Sequence, residues 1–204
     1  MKIIDCVQGT PEWIKARTGV ATASCFDKLL TPAKGDYSAQ ASDYEDMIVA
    51  EILTGKSQEE FGGTFWTERG KEIEPEAVAY YELERGLDVK HGAFVLSDDG
   101  TYGASPDGFA GDEGLIEIKC LGGKAHVGVL LNPAKAIGHK PQIQGQLLVT
   151  GRKWVDNLFY HPDMPKQRIL RIERDEVYIS KLQLALVTFS QNVQRKIAII
   201  TGTA

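Results

Sequence analysis

The sequence predicts a mixed α/β protein, with helices flanking a mixed sheet. Apolar residues recur at helical spacing in the first part of the chain. From Val89 onward the chain has short segments rich in Val, Ile, Phe and Tyr, broken by Gly and Asp, and further helical segments follow. Helices followed by strands that helices interrupt are typical of α/β or α+β domains with a mixed sheet.

Helices are predicted where apolar spacing coincides with start and stop residues. The first begins at Thr10 as N-cap, with Pro11 in its first turn, and stops at Gly19. The other helices are predicted over residues 24–30, 42–53, 67–85, 141–149 and 175–199. Pro75 is expected to kink or restart the helix over residues 67–85.

Strands are predicted from β-branched and aromatic residues bounded by turn residues. The segments are residues 90–96, 102–105, 115–121, 154–160 and 168–174. The first three are expected to form the centre of the sheet.

The composition limits the class of protein. The chain has 204 residues, of which 43% are hydrophobic and 25% charged, which is enough for a buried core, and no linker divides it, so we expect one domain over residues 1–204. It has neither a membrane-length apolar run nor a signal-peptide pattern, which predicts an intracellular protein. Three scattered cysteines exclude a disulfide framework and indicate no zinc site. A net charge of -5 argues against holding DNA by overall basicity.

The segment over residues 105–120 carries the residues with the clearest chemistry. Side chains alternate along a strand, so Glu117 and Lys119 share one face while Ile116 and Ile118 occupy the other. The short turn over residues 111–114 predicts a hairpin that brings Asp107 alongside Glu117. Two carboxylates and a lysine are therefore expected to converge.

This set suits phosphodiester hydrolysis, in which negative charge builds up on the phosphate and on the leaving oxygen. Carboxylate oxygens are ligands that Mg²⁺ prefers, and a lysine can orient the attacking water if nearby cations keep its pKa low. The alternative is that Pro-Asp-Gly is only a common turn and Glu-x-Lys only a solvated charge pair. The apolar neighbours Leu115, Ile116 and Ile118 favour the catalytic interpretation, because charges on a buried strand are costly.

Further blocks extend the pattern. The segment QGTPEWIKARTG over residues 8–19 and the TAS at residues 22–24 resemble the opening signature of the lambda-type phage exonucleases, the viral recombinase nucleases. Later blocks that resemble the family, in order, are Arg69-Gly70, Glu74-Pro75, SPDG at 105–108, EIKC at 117–120 and QIQ at 142–144. The resemblance runs from residue 8 to about residue 175.

The resemblance implies a restriction-endonuclease-like core and 5′-to-3′ digestion of one strand of linear double-stranded DNA. The remaining 3′ single-stranded tails would serve recombination by strand annealing. It also implies two Mg²⁺ ions, for which Mn²⁺ would substitute, a ring-shaped homotrimer and a single-strand annealing protein as partner. Such a protein would be phage or prophage encoded and act in the cytoplasm of a bacterial host.

Site residues carry over by position. Glu74, Asp107, Glu117 and the Ile118 carbonyl would be metal ligands, with Asp107, Glu117 and Lys119 as the catalytic set. The expected pocket for the terminal 5′-phosphate consists of Arg17, Ser24, Ser105 and Gln142. Gln144 competes with Gln142, because residues two apart cannot share a helix face, and Gln142 is preferred.

Alternatives stay open for the residues and for the function. Without the resemblance, Arg17 would be a surface arginine, Ser24 an N-cap and Gln142 a solvated helix position. The acids Asp98, Asp99, Asp112 and Glu113 are either further metal contacts or solvated turn residues.

An endonuclease on the same core is the second candidate function, and a non-catalytic DNA-binding module is the third. A glycosidase would leave Lys119 unexplained.

Overall fold

The computed structural model describes residues 1–58, 65–134 and 139–203, apart from the side chains of residues 65–68 and 71. Its helices are α1 (Pro11–Arg17), α2 (Ala41–Thr54), α3 (Phe65–Arg85), α4 (Gly123–Leu131), α5 (Lys140–Thr150) and α6 (Glu176–Thr201), with a 3₁₀ helix over Ala23–Lys28. Its strands are β1 (Lys2–Ile4), β2 (Ala21–Thr22), β3 (Val89–His91), β4 (Phe94–Leu96), β5 (Tyr102–Ala104), β6 (Gly108–Ala110), β7 (Gly114–Cys120), β8 (Trp154–Tyr160) and β9 (Arg168–Glu173).

The strands form two mixed sheets. One has the order β1-β4-β5-β2 and the other β3-β6-β7-β8-β9. In the first sheet β2 and β5 are parallel, and in the second β7 and β8 are parallel, while the other pairs are antiparallel. The predicted mixed α/β class is therefore confirmed. Among the described helices, none is both long and apolar enough to cross a membrane.

Local signals set several element boundaries, and the predicted cap at Thr10 is confirmed. Thr10 caps α1, since its Oγ1 accepts a hydrogen bond from the Trp13 amide at 3.3 Å. Asp175 caps α6 in the same way through the Tyr178 amide at 3.0 Å. Gly151 ends α5 in the left-handed conformation, with φ of 68°, which a residue with a Cβ adopts at a cost.

Other boundaries differ from the prediction. The strand expected over residues 90–96 is two strands in different sheets, β3 and β4, because the chain passes too close to a neighbouring segment at Gly92. A Cβ there would lie 1.9 Å from the Pro106 carbonyl oxygen. The helix expected over residues 24–30 is the 3₁₀ helix, and α3 runs through Pro75 without restarting. The prediction missed α4 and the short strands β1, β2 and β6.

Two helices cover opposite faces of the central strands β7 and β8. On one face, Ile143 and Leu147 of α5 pack with Leu115 and Val155. On the other face, Ala77 and Tyr81 of α3 pack in the cluster that contains Ile116 and Leu158. Alternate residues of β7 therefore face different helices, which directs Glu117 and Lys119 towards α5.

A buried charged group joins α3 to the sheet. Asp156 of β8 accepts hydrogen bonds from the Tyr81 hydroxyl at 2.8 Å and from Arg171 Nε and Nη2 at 2.9 and 2.8 Å. Burial, followed by the hydrogen bond and charge of Asp156, raises the pKa of Tyr81, so the hydroxyl remains a donor. This arrangement fixes the distance between α3 and the strands that carry the candidate site.

Candidate active site

A cleft of about 480 Å³ opens between α1, α3, α5 and the β6–β7 hairpin. It brings together every site residue that the sequence predicted. These are Arg17, Ser24, Glu74, Ser105, Asp107, Glu117, Ile118, Lys119 and Gln142. Gln8, Trp13, Gly70, Cys120 and Leu121 also line it.

The β6–β7 hairpin places Asp107 as the turn pattern predicted. Gly108 pairs with Ile116 in antiparallel register, so Asp107 lies at the level of Glu117 and Ile118. The Ile118 amide donates a hydrogen bond of 2.6 Å to Asp107 Oδ2. Burial and the nearby charge of Glu117 raise the pKa of Asp107 well above its usual range, although the Ile118 amide and Lys119 act in the opposite direction.

Glu117 is 3% exposed and accepts hydrogen bonds on both carboxylate oxygens. Oε1 accepts from Lys119 Nζ at 2.6 Å and from Gln142 Nε2 at 2.7 Å. Oε2 accepts from Gln146 Nε2 at 2.6 Å. The donors compensate for the loss of solvent around a buried carboxylate.

The two glutamines that contact Glu117 come from one face of α5. Gln142 and Gln146 are four residues apart and therefore lie above one another on the helix. Gln144 points elsewhere, since its Nε2 donates to the Glu173 carbonyl at 2.9 Å and its Oε1 accepts from the Asp175 amide at 2.8 Å. Of the two candidates, Gln142 is the one that lines the cleft. Sequence reasoning missed Gln146, although its four-residue spacing from Gln142 carried the signal.

Lys119 is held in its charged form by the acids around it. Its side chain is 23% exposed. Burial alone would lower the pKa of Lys119, but the charge and hydrogen bond of Glu117, followed by the charge of Asp107, raise it above its ordinary value. The sequence analysis assumed a low pKa for Lys119. Such a pKa would require bound cations that offset the negative charges of Glu117 and Asp107.

A second group of side chains in the cleft surrounds Arg17. Arg17 is 8% exposed, and its Nη2 donates to Thr22 Oγ1 and Ser24 Oγ, both at 3.3 Å. Its guanidinium lies over the Trp13 ring, 4.2 Å from the ring centroid. The interpretation of Arg17 as a surface arginine is therefore wrong.

Trp13 links two of the predicted phosphate-binding residues. It stacks on Arg17, and its indole Nε1 donates to Ser105 Oγ at 2.9 Å. Sequence reasoning did not assign it a role in the site, although it precedes Arg17 by four residues on the same helix face.

Ser24 lies within the 3₁₀ helix. The N-cap of this helix is Thr22, so the interpretation of Ser24 as an N-cap is wrong.

The oxygen atoms of the cleft fit a partly hydrated Mg²⁺ ion. Within the described residues, His, Cys, Asp and Glu side chains form no group of three or more that could hold a metal ion. Mg²⁺ needs only one or two carboxylates with water and other oxygens, and Asp107, Glu117 and the Ile118 carbonyl meet this requirement, with Glu74 also lining the cleft. Burial, followed by the charge of the neighbouring Glu117, raises the pKa of Asp107, and a bound cation would counteract both effects.

The other acids considered from the sequence lie outside the residues that line the cleft. Asp98 pairs with the N-terminal amine, and Glu113 pairs with Lys153. Asp99 Oδ1 accepts from Ser97 Oγ at 2.6 Å within a turn. Asp112 is exposed. These positions agree with their interpretation as solvated turn residues.

Comparison with known proteins gives one family and related structures. The model of the YqaJ-like viral recombinase domain matches residues 12–153. An alkaline exonuclease from Laribacter hongkongensis is 31% identical, with a TM-score of 0.85 over 95% of this chain and 97% of that chain, and its complex with dAMP gives the same values. No curated protein sequence gives a significant match.

A phage-related exonuclease from Haemophilus somnus shares the fold at 17% identity, with a TM-score of 0.72 over 89% of this chain and 96% of that chain. The match to the family model covers more than half of the chain. Together with the match to the alkaline exonuclease, it confirms the resemblance to the lambda-type phage exonucleases. The chain therefore belongs to the YqaJ-like viral recombinase family.

Proposed function

We propose that this chain is a Mg²⁺-dependent 5′-to-3′ exonuclease that degrades one strand of linear double-stranded DNA and leaves 3′ single-stranded tails. One observation carries the proposal. A single cleft holds a buried arginine with hydroxyl groups near it, together with two carboxylates and a lysine. The first group suits a terminal phosphate and the second suits the adjacent scissile phosphodiester.

The phosphate side of the cleft would hold the end of the DNA strand. Arg17 can contact a terminal 5′-phosphate through two of its nitrogens, and its stacking on Trp13 limits its movement. Ser24, Ser105 and Gln142 supply further hydrogen-bond donors. Because this pocket recognises a phosphate group, it positions the next phosphodiester without reading the base sequence.

The acidic side of the cleft would carry the reaction. Asp107, Glu117, the Ile118 carbonyl and Glu74 are the proposed ligands of Mg²⁺, two ions in all, with Mn²⁺ as a substitute. Bound Mg²⁺ supplies charge stabilisation at the phosphate and lowers the pKa of a coordinated water. Lys119 orients the attacking water and stabilises the negative charge that develops on the phosphate oxygens. Gln142 and Gln146 keep the Glu117 carboxylate in place.

The biological setting is proposed from the family resemblance. It comprises a homotrimeric ring, a single-strand annealing protein as partner in recombination, and action in the cytoplasm of a bacterial host on phage or prophage DNA ends. Light scattering of the purified protein tests the trimer, and co-purification with the annealing protein tests the partner.

Linear and covalently closed duplexes test the activity. The purified protein is incubated with a linear duplex labelled at one 5′ or one 3′ end, and with a closed circle, with and without Mg²⁺. Release of the 5′ label before the 3′ label, from linear DNA only and with Mg²⁺ present, is the expected result. Cleavage of the closed circle would favour the endonuclease alternative, and binding without cleavage in the presence of Mg²⁺ would favour a DNA-binding module.

A further inference from the structure

A second polar side chain lies beside Glu117 in the sheet. Asn157 of β8 is the register partner of Glu117 in the parallel β7–β8 pair. Paired residues of neighbouring strands project from the same face, and Val155, two residues earlier, packs against α5. Asn157 therefore projects under α5, towards the helix that carries Gln146.

Asn157 and Gln146 are almost fully buried, at 0% and 1% exposed, and their hydrogen bonding is incomplete. Gln146 donates to Glu117 from its Nε2, but its Oε1 has no partner within the part of the chain that the structure describes. Within the same residues, neither Nδ2 nor Oδ1 of Asn157 has one. Exchanging the amide nitrogen and oxygen of Asn157 would not change this, because both atoms are affected.

Three buried polar atoms without partners are costly for the fold. An apolar side chain of similar size at position 157 would avoid the desolvation penalty of an unpaired amide. The strand offers such a side chain at its neighbour Leu158, which packs into the apolar cluster on the opposite face. The amide at position 157 therefore needs a hydrogen-bonding partner of its own.

We propose that Gln146 and Asn157 together bind one buried water, and that this hydrated amide pair is the positioning group for the Glu117 carboxylate. The water would donate to Gln146 Oε1 and Asn157 Oδ1 and accept from Asn157 Nδ2. It would thus make three hydrogen bonds, the usual number for a buried water. The role in positioning rests on the proposed nuclease function, whereas the water site does not.

The expected role is to hold Glu117 through Gln146. The water fixes the Gln146 amide, whose Nε2 then stays directed at Glu117 Oε2. Groups that orient a metal ligand typically contribute about 10- to 100-fold in metal affinity or activity. Asn157 would therefore act on the reaction without touching DNA, metal or the attacking water.

Asn157→Leu separates this role from a purely structural one. It removes the amide and the water, so cleavage should fall about 10- to 100-fold at limiting Mg²⁺, whereas stability changes little in either direction, because added apolar contacts offset the cost of the unpaired Gln146 Oε1. Part of the loss should be recovered at high Mg²⁺. Asn157→Ser, which keeps a hydrogen-bonding group and leaves space for water, should retain most of the activity.

Gln144→Leu is the matched control. Gln144 is also a buried glutamine of α5, but the structure gives its amide partners at the Glu173 carbonyl and the Asp175 amide. Its replacement should lower the melting temperature and leave the cleavage rate per folded molecule unchanged. The two leucine variants are thus expected to differ in the Mg²⁺ dependence of cleavage, which only Asn157→Leu should change.

A crystal structure that shows ordered waters completes the test. One water bonded to Gln146 and Asn157 supports the proposal, and a direct bond between the two amides overturns it. A lower melting temperature of Asn157→Leu with unchanged Mg²⁺ dependence also overturns it, because that outcome marks a structural role. If the wild-type protein cleaves no DNA, the proposed function fails separately, while the crystal structure still decides the water site.

Discussion

At Glu117, three donors from two different elements meet a single buried carboxylate. A charge placed there without such donors would cost several kcal/mol, so the donors are a condition of its burial. Lys119, two residues along the same strand, is charged because the acids around it raise its pKa. The residues of the acidic side therefore depend on each other electrostatically.

Replacing one member of the acidic side should remove activity and leave the fold intact. For Asp107→Ala, Glu117→Ala and Lys119→Ala we expect at least about 100-fold slower cleavage, since each change removes a group that the charged transition state requires. The rate on linear duplex DNA and the circular dichroism spectrum are the measurements. Near-normal turnover in any one of the three would contradict the assignment of the active site.

The raised pKa of Asp107 predicts how stability depends on pH without metal. A carboxyl group whose pKa is raised on folding stabilises the protein below its unfolded pKa, and this contribution is lost as the pH rises through the folded pKa. Asp107→Asn avoids the loss, so with a chelator at neutral pH it should melt on the order of a few °C higher than the wild type.

The difference between Asp107→Asn and the wild type should shrink in acid, which neutralises the buried carboxylate, and on addition of Mg²⁺, which compensates its charge and that of Glu117. Asp112→Asn is the control, since Asp112 lies in an exposed turn. Its melting temperature should follow that of the wild type throughout. Equal melting temperatures of Asp107→Asn and the wild type in chelator would contradict the argument.

Arg17 should determine the preference for a 5′-phosphate. Loss of a hydrogen bond to a charged group is worth about 1.5 to 3 kcal/mol, so the wild type should degrade 5′-phosphorylated duplex about ten-fold or more faster than 5′-hydroxyl duplex below saturation. In Arg17→Ala the two rates should become equal, with slow cleavage remaining. The ratio within one protein preparation is insensitive to the fraction that is folded.

Arg195→Ala controls for the change in net charge, because Arg195 is an exposed residue of α6. It should keep the wild-type ratio. A wild-type enzyme that does not distinguish the two kinds of end would remove the basis for the 5′-to-3′ assignment and leave only the nuclease centre.

Among the elements, those with complete local signals were predictable. The capped start of α1 and the apolar strand β8 match the prediction, since each is specified by residues within its own length. The strands β1, β2 and β6 have three residues or fewer, which is too short for alternation to show. The break at Gly92 depends on a backbone that passes close by at Pro106, and no local pattern records it.

The same distinction applies to the site. Asp107, Glu117 and Lys119 could be placed together because one hairpin carries them. Arg17 and Gln142 come from distant parts of the chain, and only the family resemblance indicated that they belong to the same cleft. Gln146 and Trp13 were missed, because their spacing places them only on the same helix face as Gln142 and Arg17, and their contacts with Glu117 and Ser105 are tertiary.

Helix α5 should tolerate no added atom at Gly145. A Cβ there would lie 2.4 Å from Cδ2 and 2.7 Å from Cε2 of the buried Phe26 ring. Gly145→Ala should therefore destabilise the protein by about 1 to 3 kcal/mol through overpacking, although alanine is the better helix former. Denaturant unfolding measures this change, and cleavage should also fall because α5 carries Gln142 and Gln146.

Gly70→Ala is the matched control for this helix. Gly70 is also helical, and a Cβ at this position would meet nothing within 4 Å. This change should raise the stability by up to about 1 kcal/mol. If Gly145→Ala were equally stabilising, the close approach of α5 to Phe26 would be contradicted.

Considered as a whole, the molecule carries a net charge of -5 and yet is proposed to bind a polyanion. Divalent cations on the carboxylates would reverse the local field and make binding possible. We therefore expect Ca²⁺ to support binding to linear DNA with little cleavage, because its looser coordination positions water poorly. Gel-shift and cleavage assays in Ca²⁺, Mg²⁺ and chelator measure both steps. Equal cleavage rates in Ca²⁺ and Mg²⁺ would count strongly against the metal-dependent mechanism.

The contact between Trp13 and Ser105 joins residues that are 92 positions apart, and the bond between Tyr81 and Asp156 spans 75. The two halves of the cleft thus meet only after most of the chain has been arranged, and loops of this length close at a considerable entropic cost. Partly folded molecules, or pieces released by a protease cut between the halves, should therefore be inactive. The nuclease activity would then report the fraction of complete, natively folded chains, and folding intermediates would cleave no DNA.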